Sequence, residues 1–212
     1  MAKAQNEADA HKHMTRQYAN DNLSGQFKGW VKDKNDGLRW IEQRWQMVDR
    51  RMEVFEAGMG DATHLREWPA FIYGRINYTG VDFVREVVDA MAERFPSEQS
   101  KNTYGLLNFS DIPEEFGGTQ FDTVLLLDVL YHIPSDDVYQ ALLDWAFTHA
   151  RKYVFMTHAT NLSQKFDGAA GPGASGYCWF PRIPELPDGW KIVWQRTANT
   201  MQSQRGIILE RE

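Results

Sequence analysis

From Glu53 onward, short apolar runs alternate with stretches in which apolar residues recur every three or four positions, and Gly, Pro or charge separates the two kinds. The short runs predict strands over 53–57, 78–81, 104–108, 123–127 and 153–157. The helical spacing is clearest at Val84, Val87, Val88, Met91 and Phe95, and again at Val138, Leu142, Leu143, Ala146 and Ala150. Upstream, Leu38, Ile41, Trp45 and Val48 fall on one face of a helix between Gly37 and Arg50, which should pack on the main domain. The run Thr123-Val124-Leu125-Leu126-Leu127 is apolar on both faces, as a central parallel strand covered by helices on either side must be. Two further runs, 191–196 and 205–210, flank the polar stretch 197–204 and predict an antiparallel hairpin closing the sheet. The rhythm is that of βαβ units, so the expected fold is α/β: a doubly wound, mostly parallel sheet with helices on both faces. Residues 1–50 are expected to form a helical arm or lid, and 51–212 the main domain.

The sharpest local signal is Val54-Phe55-Glu56-Ala57-Gly58-Met59-Gly60-Asp61, an apolar strand running into a Gly-x-Gly turn that is expected to open a helix. Glycine permits positive φ and close approach of a ligand, and a helix start offers free N–H donors. About twenty residues on, the second strand ends in Gly80-Val81-Asp82, a spacing that suits a carboxylate bonding ribose hydroxyls. Asp111 follows the third strand and Asp128 ends the fourth. Each aspartate alone serves equally well as a helix cap. As a set they line the carboxyl edge of an open α/β sheet, where ligands bind, and point to an adenosine-containing molecule.

With these residues in place the chain resembles the class I S-adenosylmethionine-dependent methyltransferases over 51–210. The resemblance rests on the turn 55–61, the strand end Tyr78-Thr79-Gly80-Val81-Asp82-Phe83, and the stretch 121–134, Phe-Asp-Thr-Val-Leu-Leu-Leu-Asp-Val-Leu-Tyr-His-Ile-Pro. It implies a seven-stranded sheet in the order 3-2-1-4-5-7-6 and S-adenosylmethionine as cofactor. It also implies that Gly58, Met59 and Gly60 pass the methionine part, with Glu56 ordering the turn beneath them. Asp82 would hold the ribose, Phe83 would lie along the adenine, Asp111 and Ile112 would meet the adenine edge, and Asp128 and Val129 would line the methionine side. Many members carry a third glycine where this chain has Ala62, and the dinucleotide pattern Gly-x-Gly-x-x-Gly would need glycine at Thr63.

Methyl transfer from a sulfonium is an in-line displacement, which needs a base only where the acceptor must lose a proton. His132 and His158, following the fourth and fifth strands, are the candidate bases, and Tyr131 is a candidate for contact with the sulfonium or acceptor. His132 also suits a helix-entry residue bonded to backbone, and Tyr131 a packed one. The Gly-rich segment 161–176 and the aromatics Tyr177, Trp179 and Phe180 have the makeup of a cover that would dry the site.

Composition narrows the acceptor. A net charge of −6 supplies no broad positive field for a phosphate backbone. The chain has Asp128-Val129-Leu130-Tyr131 where nucleic-acid amine methyltransferases carry Asp/Asn-Pro-Pro-aromatic, and no Pro-Cys nucleophile for cytosine chemistry. A small molecule or sugar-containing metabolite, methylated at O or N, is the expected acceptor, with nucleic acid disfavoured and a homodimer compatible. A non-catalytic cofactor-binding regulator and a nucleotide-binding oxidoreductase on the same fold are the alternatives. The single cysteine, Cys178, allows no intrachain disulfide and no cysteine zinc cluster, and no metal is expected. Residues 1–20 are polar, without a signal-type apolar run, so a cytoplasmic protein with no membrane partner is expected.

Overall fold

The structure, a computed structural model, describes residues 28–45, 49–96, 101–130, 133, 135–158, 186–196 and 205–212. Seven strands form one sheet: β1 (Met52–Ala57), β2 (Ile76–Asp82), β3 (Thr103–Leu106), β4 (Phe121–Leu126), β5 (Ala150–His158), β6 (Trp190–Arg196) and β7 (Arg205–Arg211). Their order is β3-β2-β1-β4-β5-β7-β6, with β7 antiparallel to both neighbours and the remaining pairs parallel. This is the order that the resemblance implied, with the hairpin that the sequence pattern predicted. Five helices are described: α1 (Lys28–Trp45), α2 (Pro69–Ile72), α3 (Arg85–Arg94), α4 (Ile112–Glu115) and α5 (Asp136–His149). Among the described residues no helix is long and apolar enough to cross a membrane.

Successive residues of the central strands point to opposite faces, and each face builds its own core. Val54, Leu125, Tyr153 and Phe155 join Leu38, Ile41 and Trp45 of α1 and Val87, Val88 and Met91 of α3. Phe55, Val124, Leu126, Val154 and Met156 join Leu142, Leu143, Trp145 and Ala146 of α5. All six residues of β4 are buried, which is what lies behind its doubly apolar sequence.

The N-terminal helix is longer than its apolar pattern shows. It starts at Lys28, nine positions before Gly37, and ends at Trp45; Val48 lies outside the described residues. Gly37 sits inside it against the ring of Phe155, where a Cβ would collide with the ring carbons. That close approach explains a glycine in a helix interior, where it costs about 1 kcal/mol relative to alanine. Arg196 of β6 binds Asp33 (2.8 Å) and Asp36, fastening α1 across the sheet. Arg50 is equally committed, its guanidinium forking onto the buried Asp122 at 2.5 and 2.6 Å.

Candidate functional site at the carboxyl edge of the sheet

The turn after β1 is built on glycine conformations, φ 68° at Gly58 and 55° at Gly60. It does not open a long helix. A single 3-10 turn, Thr63–Glu67, comes next, entered through Ala62 at φ 46°. The expectation of free N–H donors here is corrected accordingly: Gly58 and Met59 donate to the Val81 carbonyl (2.8 and 3.2 Å), and Gly60 donates to Asp82 Oδ2 (3.1 Å). The turn spends its donors tying the end of β1 to the end of β2, because two adjacent parallel strands stop together there. Met59 is buried, with its sulfur over Gly80, where a Cβ would lie 2.6 Å away.

Asp82 receives Val84 N–H at Oδ1 (3.0 Å) as well as Gly60 N–H, and is only 3% exposed. Burial pushes its carboxyl up to about 6, against the lowering effect of backbone bonds from Val84, Gly60 and Phe83; the charge of Glu56 adds to the rise. Phe83 and Phe109 meet edge to face beside it, centroids 5.2 Å apart at 84°. Beneath the turn, Glu56 Oε2 accepts from the Tyr78 hydroxyl (2.5 Å) and meets His64 Nε2 at 3.1 Å. Burial, then the charge of Glu56, holds the Tyr78 hydroxyl well above its usual range, so it stays a donor.

At the far side of the turn stands Asp128, in the left-handed region at φ 59°. Its N–H donates to Thr157 Oγ1 (2.8 Å), and that hydroxyl donates back to Asp128 Oδ1 (2.5 Å). Oδ2 meets the ammonium of Lys34, from α1, at 2.5 Å, with side chains only 8% and 12% exposed. Lys34, Glu56, Gly58–Asp61, His64, Asp82, Phe83, Phe109 and Leu127–Val129 together line one cleft.

Residues 55–146 match the family model described as a methyltransferase domain. That stretch, under half of the chain, has the sequence of a methyltransferase domain. No curated protein matches the sequence. The N-methyltransferase NodS from Bradyrhizobium japonicum, solved with S-adenosyl-L-homocysteine, superposes with a TM-score of 0.69 at 10% identity, over 95% of this chain and 98% of that one. Magnesium protoporphyrin IX methyltransferase from Synechocystis, solved with bound S-adenosylmethionine, gives 0.61 at 15% identity, over 87% and 80%. At these identities the likeness is one of fold.

Within this cleft the structure gathers Glu56, Gly58, Met59, Gly60, Asp82, Phe83, Asp128 and Val129. Asp111 and Ile112 are not among its lining residues. Asp111 is exposed, its carboxylate taken by Asn108 Nδ2 (3.2 Å) and Ser110 Oγ (2.9 Å), and Ile112 is buried in the core under α4. Tyr131 and His132 lie outside the described residues, as does the Gly-rich segment with Tyr177, Trp179 and Phe180. His158 ends β5 opposite Arg205, and its side chain is outside the described set. Sequence reasoning missed Lys34, His64, Phe109 and Thr157. Only Thr157 carried a signal, being the last residue of the predicted fifth strand.

Proposed function

We propose that this cleft binds S-adenosylmethionine and that the enzyme transfers its methyl group to an oxygen or nitrogen of a small molecule or sugar-containing metabolite. The observation that carries the reading is the distribution of charge along one sheet edge. A buried carboxylate, Asp82, stands at one end, a Lys34–Asp128 pair at the other, and glycine backbone lies between. That set fits an adenosyl amino acid: hydroxyls for Asp82, aromatic edges at Phe83 and Phe109 for a base, and opposite charges for a zwitterion. Gly58 lets Val129 and Phe109 close on the turn, since a Cβ there would lie 2.7 Å from Val129 Cγ2 and 3.3 Å from Phe109 Cζ.

When bound, the cofactor supplies an electrophilic methyl on a sulfonium. The protein's share is to hold and to dry the site. Asp82 would accept hydrogen bonds from the ribose hydroxyls while Gly60 N–H fixes the carboxylate, and Phe83 would lie along the adenine. Met59, Leu127 and Val129, all buried, exclude water from the methionine side, with Asp128 completing that wall. Tyr131 would contact the sulfonium or the acceptor, and His158 or His132 would take the acceptor's proton. His158 directly follows Thr157, whose hydroxyl holds Asp128.

The net charge of −6 and the Asp128-Val129-Leu130-Tyr131 sequence support a small acceptor. So do two neighbours of the same fold, one named for a magnesium protoporphyrin and one for transfer to nitrogen. Incubation with methyl-labelled S-adenosylmethionine and a panel of small alcohols, amines and glycosides, beside RNA and DNA, tests this. Label in a small product supports the reading, and label only in nucleic acid contradicts it. With the acceptor so found, His158→Ala is expected to cut turnover at least about a hundredfold, the usual worth of a positioned base, with cofactor affinity kept. Undiminished turnover removes His158 as the base.

A further inference from the structure

Among the described residues Lys34 is the cleft's one contribution from α1, and it sits there in an unusual state: an ammonium on a residue 7% exposed, 2.5 Å from a carboxylate that is itself enclosed. Burying two charges costs several kcal/mol per ion, and apolar replacements of similar volume commonly leave a protein as stable or more so. Packing therefore gives no reason for a lysine here. The neighbouring positions show how much the fold does to keep it in place. Asn35 Nδ2 bonds Glu67 Oε2 of the 3-10 turn (3.0 Å), Asp33 and Asp36 are held by Arg196, and Leu38 and Ile41 are wholly buried in the core. On the other side, Thr157 fixes Asp128 at both its N–H and Oδ1, which leaves Oδ2 to face the ammonium.

We infer that Lys34 and Asp128 form a reader for the α-amino acid group of the ligand: Lys34 takes the α-carboxylate and Asp128 the α-ammonium. This rests on the reading of the cleft as an S-adenosylmethionine site. In the free protein the two side chains neutralise each other by direct contact at one end of the cleft. On binding, the ligand's carboxylate and ammonium insert between them so that each protein charge keeps an opposite partner. The exchange leaves no buried charge unpaired, while an uncharged or singly charged tail at the same place would leave one so. Lys34 is thus a specificity-determining residue supplied by the N-terminal helix, and the helix is part of the cofactor site.

The test compares S-adenosylmethionine with its decarboxylated analogue, which keeps adenosine, sulfonium and amine and lacks only the carboxylate. Calorimetric titration of the wild-type chain is expected to show about 10- to 100-fold tighter binding of the carboxylated ligand, the span of one charge-assisted hydrogen bond. In Lys34→Met the ratio falls towards one, by loss on S-adenosylmethionine, and Lys34→Arg restores most of it. The ratio is the readout because a merely structural lysine, once removed, weakens both ligands together. Equal binding of the two by the wild type, or an unchanged ratio in Lys34→Met, overturns the inference and leaves the cofactor reading standing. No binding of S-adenosylmethionine by the wild type overturns both. Should Lys34→Met not fold, the wild-type ratio and Lys34→Arg still decide.

Discussion

Gly58→Ala is expected to lower the melting temperature by roughly 6–12 °C and to abolish cofactor binding. Two costs add. The residue sits at φ 68°, where a Cβ costs about 1–2 kcal/mol. The new methyl would also lie 2.7 Å from Val129 Cγ2 and 3.0 Å from its Cβ, overpacking that is worth about 1–3 kcal/mol. Gly74→Ala is the matching control. It shares the positive φ, at 63°, but nothing lies within 4 Å of its Cβ position, so it should show the backbone cost alone, about 1–2 kcal/mol. Thermal melts of the two variants check this. Equal losses would mean that the wall formed by Val129 and Phe109 does not close on the turn.

Asp82→Asn is expected to weaken cofactor binding by about 1–3 kcal/mol, through loss of charge-assisted bonds to the ribose. The pH dependence derives from the carboxyl's rise to about 6. Hydroxyl donors favour the ionised form, so wild-type affinity should fall as pH drops through 6, and be roughly tenfold weaker at pH 5 than at pH 7. Folding responds with the opposite sign. A carboxyl raised from 3.8 to about 6 is protonated more readily in the folded state, so its contribution to stability is full at acid pH and is lost as pH rises through 6. The wild-type stability relative to Asp82→Asn should therefore decrease by roughly 2 kcal/mol between pH 4 and pH 7. Titrations at pH 5, 6 and 7 beside melts at the same values separate the two. An affinity flat across that range would mean that the ribose lies elsewhere.

The centre of the sheet was legible because β1 and β4 are buried on both faces and leave apolar runs, and the acids at strand ends were legible because their spacing is set by the connections. Helix α1 was legible only from Leu38 onward. The stretch Lys32-Asp33-Lys34-Asn35-Asp36 carries no apolar repeat, and nothing in a local pattern marks partners as distant as Arg196, Asp128 and Glu67. The fate of the turn's N–H groups was hidden for a like reason. That Gly58 and Met59 serve Val81 depends on β1 and β2 ending side by side. Asp111 shows the converse: its spacing suited the ligand edge, but Asn108 and Ser110 hold its carboxylate at the surface.

The central claim is that the cleft between Asp82 and Asp128 recognises an adenosyl amino acid. Calorimetric titration of the full chain with S-adenosylmethionine, S-adenosylhomocysteine and oxidised nicotinamide dinucleotide tests it most directly. Micromolar binding of the first two and none of the third is the predicted result. Binding of the dinucleotide alone, or of none of the three, would contradict it.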